Sequence, residues 1–342
     1  MTPRENFSPS PYVAINPMKS KIFLVAGPFL LAAAIVLSRD QRANLLPKLQ
    51  PGQSLTYLIR YRAEKNVKTE SNVAVPMAPD SSQMDAHGML RIEILNLQQV
   101  GGKPAIHARG QFLNLESGMG EKKPADKKPD PQQQRIDTAI RSIEFTILPD
   151  GSTEKINGLD ALPPEQQQIW QEWVARFAVG WTLPAEGAKI GDKWKVEQLE
   201  QSASPIAALI WARDSRYVRN EPCRPSQLSI TGDISPSSGL ADECAVLLTT
   251  AKLVQKSSAK DATPETFKLR ELKTMGTVKG TNEIITYISL TTGLVVRATE
   301  EAHQQMDVVI AKVDGSNRVH YNVDAASHSE VLLLTESPPS HP

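Results

Sequence analysis

Charge of one sign is what this chain lacks first: 38 Lys and Arg stand against 38 Asp and Glu in 342 residues. No strong field steers it toward a polyanion, so nucleic-acid binding is set aside as a function class. Cysteine is nearly absent, with Cys223 and Cys244 the whole supply. They do not form C-x-x-C, and no His or Cys cluster accompanies them, so a structural zinc site is not indicated. In an extracytoplasmic chain the pair reads most simply as a disulfide; in the cytoplasm it reads as two free thiols. Aromatic residues make up only 5%, yet an apolar share of 40% is enough for a real core.

Catalytic signatures are missing too. The six histidines are His87, His107, His303, His320, His328 and His341, none in H-E-x-x-H or H-x-H spacing. There is no G-x-S-x-G elbow, no P-loop and no G-x-G-x-x-G after a strand. His107 and His320 fall in predicted strands, where a sheet-face side chain is the ordinary role. The two glycines of "GTVKG" at 276–280 read as a bend between strands. Glu300, Glu301 and Asp307 cluster in sequence with His303, but near a predicted turn, where nothing suggests the desolvation that shifts a carboxylate pKa. No catalytic, cofactor-binding or metal-ligating residue is therefore assigned, and no cofactor is implied. The balance favours a non-enzyme. The alternative is an extracytoplasmic hydrolase whose site assembles only in three dimensions.

One long apolar run is present, 16 residues from Ile22 to Leu37. A spanning helix needs roughly 17 to 25 residues, and a signal h-region about 7 to 15. Lys19 and Lys21 precede the run as a signal n-region requires, and Met18 stands directly before them. No A-x-A follows; Val36 and Ser38 are the small residues available for a cut. The run has no polar face, which argues against a core helix. Residues 19–38 are thus expected to be a signal peptide or a single membrane anchor, with export to the periplasm or cell envelope in either case. Residues 1–18 read as a disordered tail, as do 335–342.

The folded part is expected at 50–334, mainly β. In "QSLTYLIRYRAE", Leu55, Tyr57, Ile59 and Tyr61 alternate with Thr56, Leu58, Arg60 and Arg62, the period of a half-buried strand. Further strands are read in "GMLRIEILNL", "PAIHARGQFLNL", "SIEFTILPDGSTEKI", "GDKWKVEQ", "PIAALIWARDSRYV" and "ECAVLLTTAKLVQ". In the last third, "NEIITYISL" turns into "LVVRATEEA", "MDVVIAKV" turns into "NRVHYNVDA", and "EVLLL" closes an antiparallel meander. Polar, Pro-bearing stretches at 117–136, 219–243 and 256–268 read as mobile insertions. One amphipathic helix is expected in "PPEQQQIWQEWVARFAVG", with Ile169, Trp170, Trp173, Val174 and Phe177 on one stripe. Such a stripe can line a ligand site, but more often it docks a helix on a sheet.

The order "PGQSLTYLIRY", amphipathic helix, "VGWTLPAEGAKIGDKW", then strands around "ISLTTGLVVRATEE" resembles uncharacterised bacterial extracytoplasmic proteins. In outline it is similar to curved-sheet envelope proteins of the lipoprotein-carrier type. The resemblance implies a large curved antiparallel sheet or half-barrel with one amphipathic helix packed on it, and a cavity for an apolar ligand. The expected function is a non-enzymatic binding or structural module of the envelope. Its partners would be an apolar ligand or an envelope protein, the membrane through residues 19–38 if uncleaved, and no nucleic acid.

Overall fold

The computed structural model describes residues 42–72, 81–121, 142–148, 153–159, 183–200, 204–228, 234–236 and 242–336. Residues 1–18, the apolar run at 19–38, the Ile169–Phe177 stripe and 337–342 lie outside the described residues, whereas Thr335 and Glu336, expected in a disordered tail, are paired residues at the end of the last strand. Thirteen strands form one sheet. The first group is β1 (Ser54–Ser71), β2 (Ser81–Val100), β3 (Lys103–Glu121), β4 (Ser142–Ile147) and β5 (Thr153–Asn157). Next come β6 (Lys193–Leu199), β7 (Leu209–Pro222), β8 (Ser226–Leu228) and β9 (Ile234–Pro236). The last are β10 (Glu243–Gln255), β11 (Leu272–Ser289), β12 (Val295–Lys312) and β13 (Val319–Glu336). The only helix among the described residues, α1 (Glu265–Lys268), is four residues long.

The order across the sheet is β5-β4-β3-β2-β1-β13-β12-β11-β10-β7-β6, with β8 and β9 attached to β13. Neighbours on this path pair antiparallel; β8 on β13 is the one parallel pair. Two runs of hairpins are therefore joined where the first described strand meets the last. The join has a continuous register from Thr56↔Leu334 to Ser71↔Val319. The mainly β, antiparallel expectation holds. A helix packed on the sheet is not borne out by the described residues.

The strands are longer than the sequence pattern suggests. The segments "LVVRATEEA" and "MDVVIAKV" belong to a single strand, β12, and "NRVHYNVDA" and "EVLLL" to another, β13. At 18 residues each they reach about 60 Å. The bend expected at 276–280 is absent, because β11 runs straight through it. Gly276 instead permits a close approach: its φ is +140°, and a Cβ there would sit 2.0 Å from the Asp307 carbonyl oxygen. Gly293, in the turn before β12, has φ +69° and faces the Leu46 carbonyl just as closely. There the segment ahead of β1 crosses the turn, with Lys48 N–H donating to the Thr292 carbonyl at 2.8 Å.

Period-two alternation sends one set of side chains to each face. The apolar set of β1–β4 and β10–β13 forms the main core, with Tyr57, Ile92, Phe112, Phe145, Leu247 and Ile288 almost fully buried. A second cluster, Leu209, Leu253, Val278 and Val308 with Ile206 and Ala262, lies toward the other ends of these strands. Residues 256–268, drawn as a polar loop, thus contribute Ala262 to a core and bury Thr263, whose hydroxyl accepts from Thr274 N–H at 3.0 Å. Strand structure also enters the other two insertions: β3 reaches Glu121, and β8 and β9 fall inside 219–243. Cys223 and Cys244 are bonded, with α-carbons 5.0 Å apart, tying the start of the β7–β8 link to β10. Closing a loop of this size stabilises by about 3 kcal/mol in the chain-entropy picture.

Gly276→Ala is expected to destabilise by more than about 1 kcal/mol in urea unfolding, since the added methyl meets backbone that cannot move without breaking the β11–β12 ladder. Gly315→Ala, at a positive φ but in open space, should cost less. Equal costs would contradict the close approach.

Candidate functional site

The face opposite the main core holds a small apolar cluster, Leu58, Leu332 and Leu334, toward the β1 start and turns polar beyond it, where it forms a groove of about 690 Å³. The groove crosses β1, β13, β12, β11 and β10. At about 4.8 Å per strand it spans roughly 19 Å. The register builds it from two rows. One runs Arg62, His328, Glu301, Glu283, Thr250, each the cross-strand partner of the next. The other, two residues along, runs Glu64, Ala326, His303, Thr281, Lys252. Ala326, Thr281 and Thr250 are short beside long charged neighbours, and that difference in length makes the depression.

The charges are unevenly matched. Arg62 reaches Glu64 at 3.3 Å and Asp85 at 3.8 Å. His328 Nδ1 lies 3.8 Å from Glu301. His303 Nε2 meets Asp324 at 3.0 Å, and Gln305 donates to the same carboxylate at 3.2 Å. Those two bonds hold the Asp324 carboxyl below its ordinary range, the Gln305 bond being the larger influence. Farther along this face His320 Nε2 meets Asp307 at 2.9 Å, with Nδ1 3.7 Å from Glu70. Three His–carboxylate pairs thus follow the strands on one face.

The core face is also polar between its two apolar clusters. Ser215 and Thr249 share a 2.7 Å hydrogen bond, Asn282 donates to Glu300, and Ser329 donates to Glu300 at 3.4 Å. Asn282 is buried, and among the described residues its Oδ1 accepts no hydrogen bond.

The sequence cluster Glu300, Glu301, His303 and Asp307 is therefore not near a turn. It lies within β12, and alternation divides it: Glu300 faces the core side, the other three the groove side. His107 meets Glu144 at 3.1 Å, and Arg109 donates to the same carboxylate at 3.0 Å, on β3 and β4 away from the groove. Glu64, Lys252 and Glu283 were not singled out from the sequence, and Arg62 and His328 figured there only as a strand residue and as one of six scattered histidines. Each looks like the solvated half of an alternating strand, and only the cross-strand register brings them together. Among the described residues no set of three His, Cys, Asp or Glu side chains is placed to hold a metal ion. Among the described residues neither His303 nor His328 hydrogen-bonds a Ser, Thr or Cys. The lining side chains are mainly charged or hydroxylated, with Ala251, Ala302 and Ala326 among them. Among the described residues no helix is long and apolar enough to cross a membrane.

The Asp307 hydrogen bond, the largest influence, raises the His320 pKa above its ordinary value, assisted by Glu70. A group whose folded pKa is raised adds stability that is complete below its unfolded value, about 6.5, and is lost as pH rises through the folded value. The melting-temperature difference between wild type and His320→Gln should therefore be larger at pH 5.5 than at pH 8.5. A difference that grows toward alkaline pH would contradict this.

No family model matches the chain, and no curated protein does. Solved structures give faint likenesses. A structure titled "Asymmetric conductivity of engineered proteins" shares 8% identity over 82% of this chain and 100% of its own, with a TM-score of 0.19. Pseudomonas aeruginosa OccK7 (OpdD) shares 8% over 83% of this chain and 99% of its own, at 0.18. An outer membrane channel from Pseudomonas putida shares 8% over 84% of this chain and 97% of its own, at 0.14. Likenesses at this level carry no argument, and the reading of the site rests on its own geometry.

Proposed function

We propose that this chain is an exported, non-enzymatic module of the cell envelope that binds a polar ligand in the groove across β1, β13, β12, β11 and β10. The observation that carries the reading is the groove itself: five neighbouring strands contribute to one concavity lined by both signs of charge and by hydroxyls. Pockets that combine a shaped hollow with a few polar groups are the usual places for ligands. The extracytoplasmic half of the proposal is supported by the Cys223–Cys244 bond, since disulfides persist where the medium is oxidising. Lys19 and Lys21 ahead of the apolar run support it as well. In this proposal residues 19–38 act as a cleaved signal or remain as the membrane anchor.

A photo-reactive residue placed at Ala326 in the full-length protein, in living cells, tests both halves. An adduct recovered in the envelope fraction is expected from position 326, and none from the exposed Leu97, which lies on β2 outside the groove. No adduct at 326, or protein only in the cytosol, would sink the reading.

A further inference from the structure

We propose that this chain pairs with a second copy of itself through the free edge of β6, the two strands running antiparallel about a two-fold axis at Val196. The proposal is independent of the groove. β6 ends the sheet: it pairs with β7 on one side and with no strand among the described residues on the other. The Asp192 carbonyl accepts from Tyr217 N–H at 3.1 Å, and Glu200 N–H donates to the Leu209 carbonyl at 2.9 Å. Even-numbered positions therefore turn their main chain toward β7. Alternation then turns the N–H and C=O groups of Lys193, Lys195, Glu197 and Leu199 outward.

Free edges are normally blunted by irregular pairing, proline or a row of like charges. The other edge, β5, is irregular: it keeps three aligned pairs with β4, and the register shifts between Glu144 and Thr146. β6 has no proline or glycine, and its seven residues pair with β7 without a shift. Its exposed side chains carry a charge sequence instead, Lys193, Lys195 and Glu197. Two lysines repel most strands laid against them, whereas a reversed copy of β6 answers them.

About an axis at Val196, each Lys195 stands opposite the partner's Glu197, and each Lys193 opposite the partner's Leu199. Opposite charges at facing positions stabilise a strand pair. The Lys193 stem covers Leu199, which is 67% exposed in the single chain. Every one of these facing positions belongs to the outward-turned set, so each pair exchanges two main-chain hydrogen bonds, about eight in all. A slip of two residues would set Lys195 against Lys195, or Glu197 against Glu197, so charge selects the register. Within the chain Lys195 reaches Asp214 at 3.4 Å and Glu197 reaches Lys256 at 4.0 Å. Both contacts are exposed and weak, and neither occupies the edge. An interface this short gives a weak, concentration-dependent dimer.

Cys223 and Cys244, the whole supply of thiols, are bonded to each other, so Val196→Cys introduces the sole free one. On the axis its α-carbon lies about 4.5 Å from its counterpart, within disulfide reach. Under mild oxidation the full-length Val196→Cys protein should form a disulfide-linked homodimer at least tenfold faster than Glu154→Cys, on the exposed β5 edge. Sedimentation of the full-length protein should show a monomer–dimer equilibrium. Association should be at least tenfold weaker in Glu197→Lys and recover in Lys195→Glu/Glu197→Lys. The double exchange sets an acid beside Asp214, so contacts within the chain cannot explain its recovery. Four results would overturn the proposal: a monomer at every concentration, equal cross-linking from position 154, a double variant no better than Glu197→Lys, or a dimer unchanged in Glu197→Lys, as association through residues 19–38 would give.

Discussion

The ladder between β1 and β13 is the constraint on which the rest depends. Hairpins β1 to β5 are local, and so are β10 to β13; in each run every strand pairs with the next along the chain. Only the pairing of Ser54–Ser71 with Val319–Glu336 makes them one sheet, and it joins residues more than 240 positions apart. Loop closure over that separation costs conformational entropy before any contact repays it. The repayment is large because the register is unbroken from Thr56 to Ser71. On one face it sets Ile59 beside Val331 in the core; on the other it sets Arg62 beside His328 in the groove. A slip of one residue would exchange the faces, exposing Tyr57 and Ile59 and burying Arg62. Core and groove are therefore specified by the same register.

The sheet divides its labour along the strands as well as between its faces. At the β1 start and the β13 end, apolar residues meet in the main core; toward the opposite ends a second apolar cluster forms around Leu253, Val278 and Val308. Between them both faces turn polar. One side holds Glu300, Asn282, Ser329, Thr249 and Ser215 in hydrogen bonds, the other holds the groove. Such a belt buries little apolar surface, so it contributes less per residue than the clusters flanking it. Placing the facing acids Glu283 and Glu301 in that belt adds a local cost. Conflicts of this kind between a local rule and the fold are expected where a protein carries function.

That belt also explains what the sequence could and could not disclose. Period two is clear where one face is buried, so the cores of β1, β2, β10 and β11 are readable from Leu55, Ile92, Leu247 and Ile284 and their alternating neighbours. Where both faces are polar or small, alternation vanishes. The His303-Gln304-Gln305 and Ala325-Ala326-Ser327 stretches therefore look like breaks, although β12 and β13 run through them. The same loss hides the groove, since its members sit on five strands and no spacing along the chain links Arg62 to Glu283. Gly276 misleads in another way: glycine between strands suggests a bend, but here it admits the neighbouring backbone. The cysteine pair was legible as a pair, and its bond follows from β7 and β10 being sheet neighbours.

Native-state hydrogen exchange tests the dependence on β1 and β13 most directly. If their ladder holds both halves together, the amides of Tyr57, Ile59, Val331 and Leu332 exchange only through global unfolding, with the same free energy as denaturant unfolding. The account predicts that the core amides of β2 and of β11 share that value, because neither half outlasts the join. Fast exchange in β1 and β13, while β10 to β12 stay protected, would show two independent halves and contradict it.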